Sequence, residues 1–235
     1  MNKTLTCIFI INLLACSVFA QVAEPTTKKV DSTPYAFRFG IDISKPMVSA
    51  INNEEEISYE FVTDVQFSEK WFAAVEFGSA QKNSSDSFLK FSTKGNYVKL
   101  GFNYNLFENL SGMNNEILIG ARYGYSDFEH TLNSFTINSN DLYFENPLNE
   151  VGQTYPNLSA HWLELVSGIK VETFKNLYLG TSISINILLS QKMPDNFLNM
   201  YIPGFNRLYS NKLGIGFNYT LSYKIPIRKS KSKKV

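Results

Sequence analysis

At 235 residues, with 22 Lys and Arg against 21 Asp and Glu, the chain has a formal net charge of +1. That length allows one or two domains, and nothing in the sequence suggests two; the charge balance excludes the basic field that draws in nucleic acid. Aromatic residues make up 14% of the chain, an enrichment that favours strands, because Phe and Tyr cover a pleated surface well.

The N-terminus reads as an export signal. Lys3 supplies a positive start, residues 5–14 are apolar apart from Thr6 and Asn12, and Val18-Phe19-Ala20 precedes a cleavage point before Gln21. Residues 1–20 are therefore expected to be a signal peptide. A competing reading takes Leu13-Leu14-Ala15-Cys16 as a lipobox, with Cys16 lipidated. Residues 17–20 stay apolar, unlike a flexible tether, and this favours cleavage after Ala20. Cys7 and Cys16 are the only cysteines, so the mature chain is expected to lack a disulfide, a thiolate nucleophile and a cysteine-zinc site. Residues 21–34 read as a periplasmic linker. Beyond residue 20 no apolar run approaches the roughly 18 residues of a spanning helix. A mature chain that spans a membrane must then be a closed barrel.

Eight segments alternate with period two. In the first, Tyr35, Phe37, Phe39, Ile41 and Ile43 interleave with Ala36, Arg38, Gly40, Asp42 and Ser44. A strand separates those two sets cleanly, whereas a helix gathers neither on one face. Next, Ile57, Tyr59 and Phe61 oppose Ser58, Glu60 and Asp64; then Trp71, Ala73, Val75 and Phe77 oppose Phe72, Ala74, Glu76 and Gly78. Val98, Leu100, Phe102 and Tyr104 oppose Lys99, Gly101, Asn103 and Asn105, and Ile117, Ile119, Ala121 and Tyr123 oppose Gly120, Arg122 and Gly124. Leu163, Leu165, Ile169 and Val171 oppose Glu164, Gly168, Lys170 and Glu172; Leu177, Leu179, Ile183 and Ile185 oppose Gly180, Ser182, Ser184 and Asn186. Last, Leu213, Ile215, Phe217, Tyr219 and Leu221 oppose Gly214, Gly216, Asn218 and Ser222. All eight prolines fall outside these segments, as expected of a residue that cannot donate to a ladder.

The expected fold is all-β: an up-and-down antiparallel transmembrane β-barrel of about eight strands over residues 35–226. Three features favour a membrane barrel over a soluble sandwich with inverted faces. First, connections near 67–70, 107–115 and 174–176 are short, whereas 45–56, 80–88, 130–156 and 191–207 tend to be longer, as in outer-membrane barrels. Second, the polar parity carries Arg38, Lys99, Arg122, Lys170 and Lys224 against Asp42, Glu60, Asp64, Glu76, Glu164 and Glu172, together with nine of the 13 glycines. A Lys or Arg facing lipid near the midplane costs roughly 2–4 kcal/mol. These groups are therefore expected to pair inside a narrow, filled lumen. Third, Tyr35, Trp71, Tyr104 and Tyr223 fall at one end of their strands, where an aromatic girdle is expected at the periplasmic interface.

In chain order, several short motifs resemble an uncharacterised Bacteroidetes-type family, domain of unknown function 6048. They are residues 39–46 (FGIDISKP), Tyr59-Glu60 with Asp64, Glu76-Phe77-Gly78, Lys99-Leu100-Gly101 with Tyr104-Asn105, residues 122–126 (RYGYS), Trp162 with Glu164, and residues 201–205 (YIPGF). The resemblance covers most of the mature chain. It implies an outer-membrane barrel and brings no activity or catalytic residues with it.

Candidate chemistry is sparse. Glu60, Asp64, Glu76 and Glu164 are a carboxylate set suited to acid/base or metal work, but pairing with Arg38, Lys99, Arg122 and Lys170 is the simpler expectation. His130 and His161, the only histidines, fall near the outer ends of the fifth and sixth segments, with Ser134, Ser159, Asp127 and Glu129 nearby. An enzyme reading has them face each other across a hairpin mouth, although no motif spacing supports a triad. The long 130–156 loop is a candidate partner surface. Residues 201–205 form either an apolar loop tip or a cover folded over the mouth. The basic tail 227–235 is expected to be a solvated end. The resulting expectation is an outer-membrane protein without enzymatic activity, structural or surface-interacting, with no metal and no cofactor. Its expected partners are outer-membrane lipid and the barrel-assembly machinery. A lipid-modifying enzyme, a narrow porin-like channel and a soluble lipocalin-like barrel are the alternatives.

Overall fold

The computed structural model describes residues 35–52, 56–86, 88–109, 113–136, 148–194, 198–209 and 212–227. The expected signal peptide, Cys16, the linker and the basic tail beyond Ile227 lie outside the described residues.

Eight strands close on themselves. They are β1 (Ala36–Asp42), β2 (Glu56–Gln66), β3 (Trp71–Ser85), β4 (Leu89–Asn105), β5 (Glu116–Thr136), β6 (Leu148–Phe174), β7 (Leu177–Gln191) and β10 (Leu213–Pro226). Each pairs antiparallel with its neighbours, and β10 meets β1 to complete the ring in the order β1-β10-β7-β6-β5-β4-β3-β2. Helix α1 (Ser44–Asn52) lies between β1 and β2, and a short hairpin, β8 (Tyr201–Ile202) with β9 (Asn206–Arg207), lies between β7 and β10.

Alternation sets the faces. On β5 the buried series runs through Glu116, Leu118, Arg122, Ser126, Phe128 and His130, while Ile117, Ile119, Tyr123 and Tyr125 are exposed. The other strands follow the same rule, so the charged and glycine-rich parity points inward and the aliphatic and aromatic parity points out.

The strands run longer than the alternating segments, which corrects several expectations. Residues 80–88 are mostly strand, because β3 continues to Ser85 and β4 resumes at Leu89. That turn is shorter than the β4–β5 connection, so connection length marks the two ends of the barrel less cleanly than expected. The expected 130–156 loop is largely an extension of the β5–β6 hairpin, paired out to Thr136 and Leu148. Residues 45–56 contain α1 instead of a plain loop. Pro156 lies inside β6, contrary to its expected place outside the strands.

Bulges explain why the pattern ends early. Pro156 and Asn157 together oppose Glu129, between the pairs Phe128–Leu158 and His130–Tyr155. Asn157 takes φ 58°, and a bulge leaves its extra residue outside the ladder, where proline's missing N–H is tolerated. The extra residue switches the inward parity of β6, so a single-phase alternation cannot be followed through it.

The loop-end interior is apolar. Trp162, Phe128, Phe91, Leu188, Tyr97, Ala160 and Leu158 form a core into which Tyr201, Ile202 and Phe205 insert. Phe205 meets Trp162 edge-on at 5.9 Å and lies over Gly214, while its carbonyl accepts the Asn186 amide at 3.1 Å. Gly204 adopts φ 81° with its backbone against the Tyr97 ring, a position that admits only glycine. Of the two expected arrangements for residues 201–205, the cover over the mouth is the one adopted.

Gly124 makes room for the Trp162 indole: a Cβ there would lie 2.6 Å from Cδ2. Gly124→Val is expected to lower stability by about 1–3 kcal/mol or to prevent folding, and Trp162→Ala in the same chain is expected to recover much of the loss. Urea unfolding followed by circular dichroism checks this. Wild-type behaviour of the single variant would show that the indole has space to move.

Candidate functional site

The candidate site is the barrel lumen. At the short-turn end, Arg38 on β1 stands opposite Asp64 on β2 and bonds it through Nε at 3.0 Å. Its two terminal nitrogens fork onto Glu116 of β5 at 3.0 and 2.9 Å. Lys170 of β6 reaches Asp64 at 2.7 Å. Two cations thus meet two carboxylates from four strands. The Arg38 guanidinium also lies 5.4 Å from the Phe72 ring centroid and 4.9 Å from that of Tyr178, so two aromatic rings pack against it.

The middle of the lumen holds a second cluster. Lys99 on β4 lies 3.3 Å from Glu60, 3.3 Å from Glu76 and 3.6 Å from Glu164. Arg122 bonds Glu76 at 3.0 Å, Asn103 at 2.8 Å and the Phe102 carbonyl at 2.9 Å. Two cations here face three carboxylates, and neutral donors serve the excess. Tyr97 donates to Glu60 at 2.6 Å, Asn218 donates to its other oxygen at 2.7 Å, and the Trp162 indole N–H reaches Glu164 at 3.4 Å. A buried charge persists when it is both paired and hydrogen-bonded, and every carboxylate in this cluster has such partners. Between the clusters a cavity of about 40 Å³ touches Glu76, Arg122, Lys170 and Asn218, room for roughly three waters.

Three expected members stand apart from the ion pairs, one of them Lys224, which stands opposite Arg38 on the β1–β10 ladder and makes no ion pair among the described residues. Asp42 accepts the Ser44 amide at 2.8 Å, the Ser44 hydroxyl at 2.9 Å and the Tyr219 amide at 3.1 Å, so it organises the start of α1. Glu172 accepts the Asn176 amide at 2.7 Å and the Asn114 side chain at 2.6 Å, tying down the tight β6–β7 turn where Asn176 takes φ 65°. Asp42 and Glu172 both carry their charge to backbone and amide donors.

Sequence reasoning missed Glu116, Tyr97, Asn103 and Asn218 as partners in this network. Glu116 sits one residue before the fifth alternating segment, on the parity of Arg122, so extending that segment by one position would have found it. Tyr97 is an aromatic on the charged parity, and sorting by polarity alone leaves it out.

The histidines do not meet. His130 points inward, wholly buried, and shares a hydrogen bond between Nδ1 and the Thr93 hydroxyl. His161 points outward, bonded to the Tyr123 hydroxyl at 2.7 Å and packed on Tyr125. Ser134 is on the inner face, while Asp127, Glu129 and Ser159 are on the outer face. The wall separates the two sets because residues of opposite parity cannot share a face. Among the described residues no group of three or more His, Cys, Asp or Glu is placed to hold a metal ion.

Outside, Trp71 pairs with Tyr104 across β3 and β4, rings 4.9 Å apart, while Tyr35 and Tyr223 are exposed at the same short-turn end. Between this end and the level of Ser79, Asn96, Asp127 and Ser159, which are paired in series across β3, β4, β5 and β6, the outer face of those strands is predominantly apolar.

Arg38→Met is expected to destabilise the barrel by about 3–5 kcal/mol, because it strands Asp64 and Glu116 in a buried setting. Adding Glu116→Gln is expected to recover part of that loss. Equilibrium urea unfolding checks both, and an unchanged midpoint for the single variant would show that solvent reaches this end of the lumen.

No curated protein matches the chain. Solved structures that share similarity include the following three. The N-terminal β-barrel domain of Pseudomonas aeruginosa OprF is 10% identical with TM-score 0.43, covering 83% of this chain and 100% of its own. Neisserial surface protein A is 10% identical with TM-score 0.40, covering 82% and 94%. Ail, the attachment invasion locus protein of Yersinia pestis, is 9% identical with TM-score 0.40, covering 83% and 99%. The family described as Domain of unknown function (DUF6048) matches residues 1–230, and the chain belongs to it.

Proposed function

We propose that this chain is an integral outer-membrane protein without enzymatic activity, a closed barrel that holds its loop end at the cell surface as a structural or partner-contacting element. The observation that carries this reading is the inversion of faces. Ion pairs fill the inside, while Ile215 (66% exposed), Ile183 (58%) and Leu165 (55%) belong to an outer surface of large apolar side chains that encircles the barrel. A soluble monomer rarely leaves a contiguous apolar patch beyond a few hundred Å², and lipid is the solvent that suits such a belt. On β5 the apolar stretch runs from Ile117 to Tyr125 before Asp127, close to the roughly 9–11 residues with which a tilted strand crosses a bilayer. Tyr35, Trp71, Tyr104 and Tyr223 suit the periplasmic interface. The export-signal pattern of residues 1–20 supports delivery to the envelope. Outer-membrane lipid and the barrel-assembly machinery are then its partners.

A filled lumen argues against a channel. The ion pairs occupy its lower and middle levels, and the Trp162–Phe205 core fills the level above.

The full-length protein is expected to fractionate with outer membranes, to need detergent for extraction and to migrate faster on gels unboiled than boiled. In planar bilayers it is expected to give no conductance steps. A detergent-free soluble protein would reverse the assignment of the outer face to lipid, whereas discrete steps would show that the lumen opens.

A further inference from the structure

A second cavity, of about 210 Å³, lies at the loop end, lined among others by Lys45, Lys82, Arg207, Glu56, Tyr201 and Phe217. Its walls come from α1, β2, β3, the β8–β9 hairpin and β10, so it is made of elements that meet only after the ring closes and the hairpin inserts.

Its electrostatics are unbalanced. Among the described residues, three cationic side chains line it against one carboxylate. That carboxylate is already committed: Glu56 accepts the Tyr201 hydroxyl at 2.8 Å on one oxygen and Lys82 at 3.1 Å on the other. Lys45 is left with a 3.8 Å approach to Glu56 and the face of Tyr97 at 5.8 Å. Its Nζ is buried and makes no hydrogen bond among the described residues. An ammonium carries three donors, and burying it without acceptors is costly. Burial accordingly pushes the Lys45 ammonium below the usual lysine range, opposed by Glu56. Lys45 lines the cavity, and a turn of its side chain would bring the ammonium onto an acceptor-rich anion seated there.

We infer that this cavity is a binding site for a phosphoryl group, with Lys45 at its base and Arg207 at its exposed rim. A phosphomonoester near neutral pH carries close to two negative charges and three strong acceptor oxygens, which matches an excess of two cations among the described residues and an ammonium without a hydrogen-bond acceptor. Tyr201 offers apolar surface for whatever bears the phosphoryl group. This inference goes beyond the proposed membrane role and does not depend on it.

The same chemistry is found on a free phosphate and on a lipid headgroup. The test uses the full-length chain in a non-ionic detergent, titrated with inorganic phosphate, with short-chain phosphatidic acid and with short-chain phosphatidylcholine as control, followed by calorimetry and phosphorus NMR. Wild type is expected to bind at least one of the first two more tightly than the control. Binding of phosphatidic acid alone identifies a headgroup site, and binding of both identifies a site for the phosphoryl group itself. Lys45→Met is expected to weaken binding at least tenfold, and Arg207→Gln severalfold. Arg207 is exposed and makes no ion pair among the described residues, so that variant carries the test if Lys45→Met fails to fold. No saturable binding by wild type, or unchanged affinity in the variants that fold, would overturn the inference.

Discussion

A charge inside this barrel has to be neutralised by a residue from another strand. The ring is too narrow to hold a water-filled lumen, and alternation sends Arg38, Lys99, Arg122 and Lys170 into it together with Glu60, Asp64, Glu76, Glu116 and Glu164. In such a medium an unpaired ion costs several kcal/mol, while a paired one costs little or contributes modestly. Strand register therefore has to bring opposite charges together, as in the Arg38–Asp64 and Glu76–Lys99 pairs. A slip of one residue in any strand would turn its charges outward onto the apolar face. The lumen pairs thus act on register as much as on stability.

The outer face follows from the same alternation. Because charge and glycine occupy the inner parity, the outer parity is free to be aliphatic and aromatic, and it gives way to Ser, Asn, Asp and Lys where β3, β4 and β5 run on toward the loop end. There the interior changes character as well. Trp162, Phe128 and Phe205 replace ion pairs with an apolar core, so the two ends of one lumen are held by different physics. Ion pairing ties the short-turn half together, and hydrophobic packing around an inserted hairpin seals the loop half.

The sealing hairpin has a second consequence. Its insertion places Tyr201 and Arg207 opposite α1 and creates a cavity in which Lys45 has no acceptor of its own. A barrel closed only by salt bridges would have had no such compartment. The unpartnered ammonium therefore lies at the loop end, while the carboxylates and cations of the two lower clusters are paired with one another.

Much of this was legible in the chain. Period two located all eight strands and assigned the inward and outward residues, because side-chain direction in a strand depends only on counting along the backbone. The lumen charges Arg38, Glu60, Asp64, Glu76, Lys99, Arg122, Glu164 and Lys170 could be named on that basis alone. Counting failed at Pro156 and Asn157, where a bulge switches the parity and hides the far end of the β5–β6 hairpin. It also could not tell that Asp42 and Glu172 serve backbone amides, or that His130 and His161 lie on opposite sides of the wall. By itself, then, the sequence determined which residues face in and which face out, because that is a local property of extended backbone. Only the tertiary structure decided which carboxylate each cation meets, that residues 201–205 enter the barrel, and that Lys45 is left facing a cavity. Those depend on ring closure and strand register, which bring together side chains as far apart in sequence as Asp64 and Lys170.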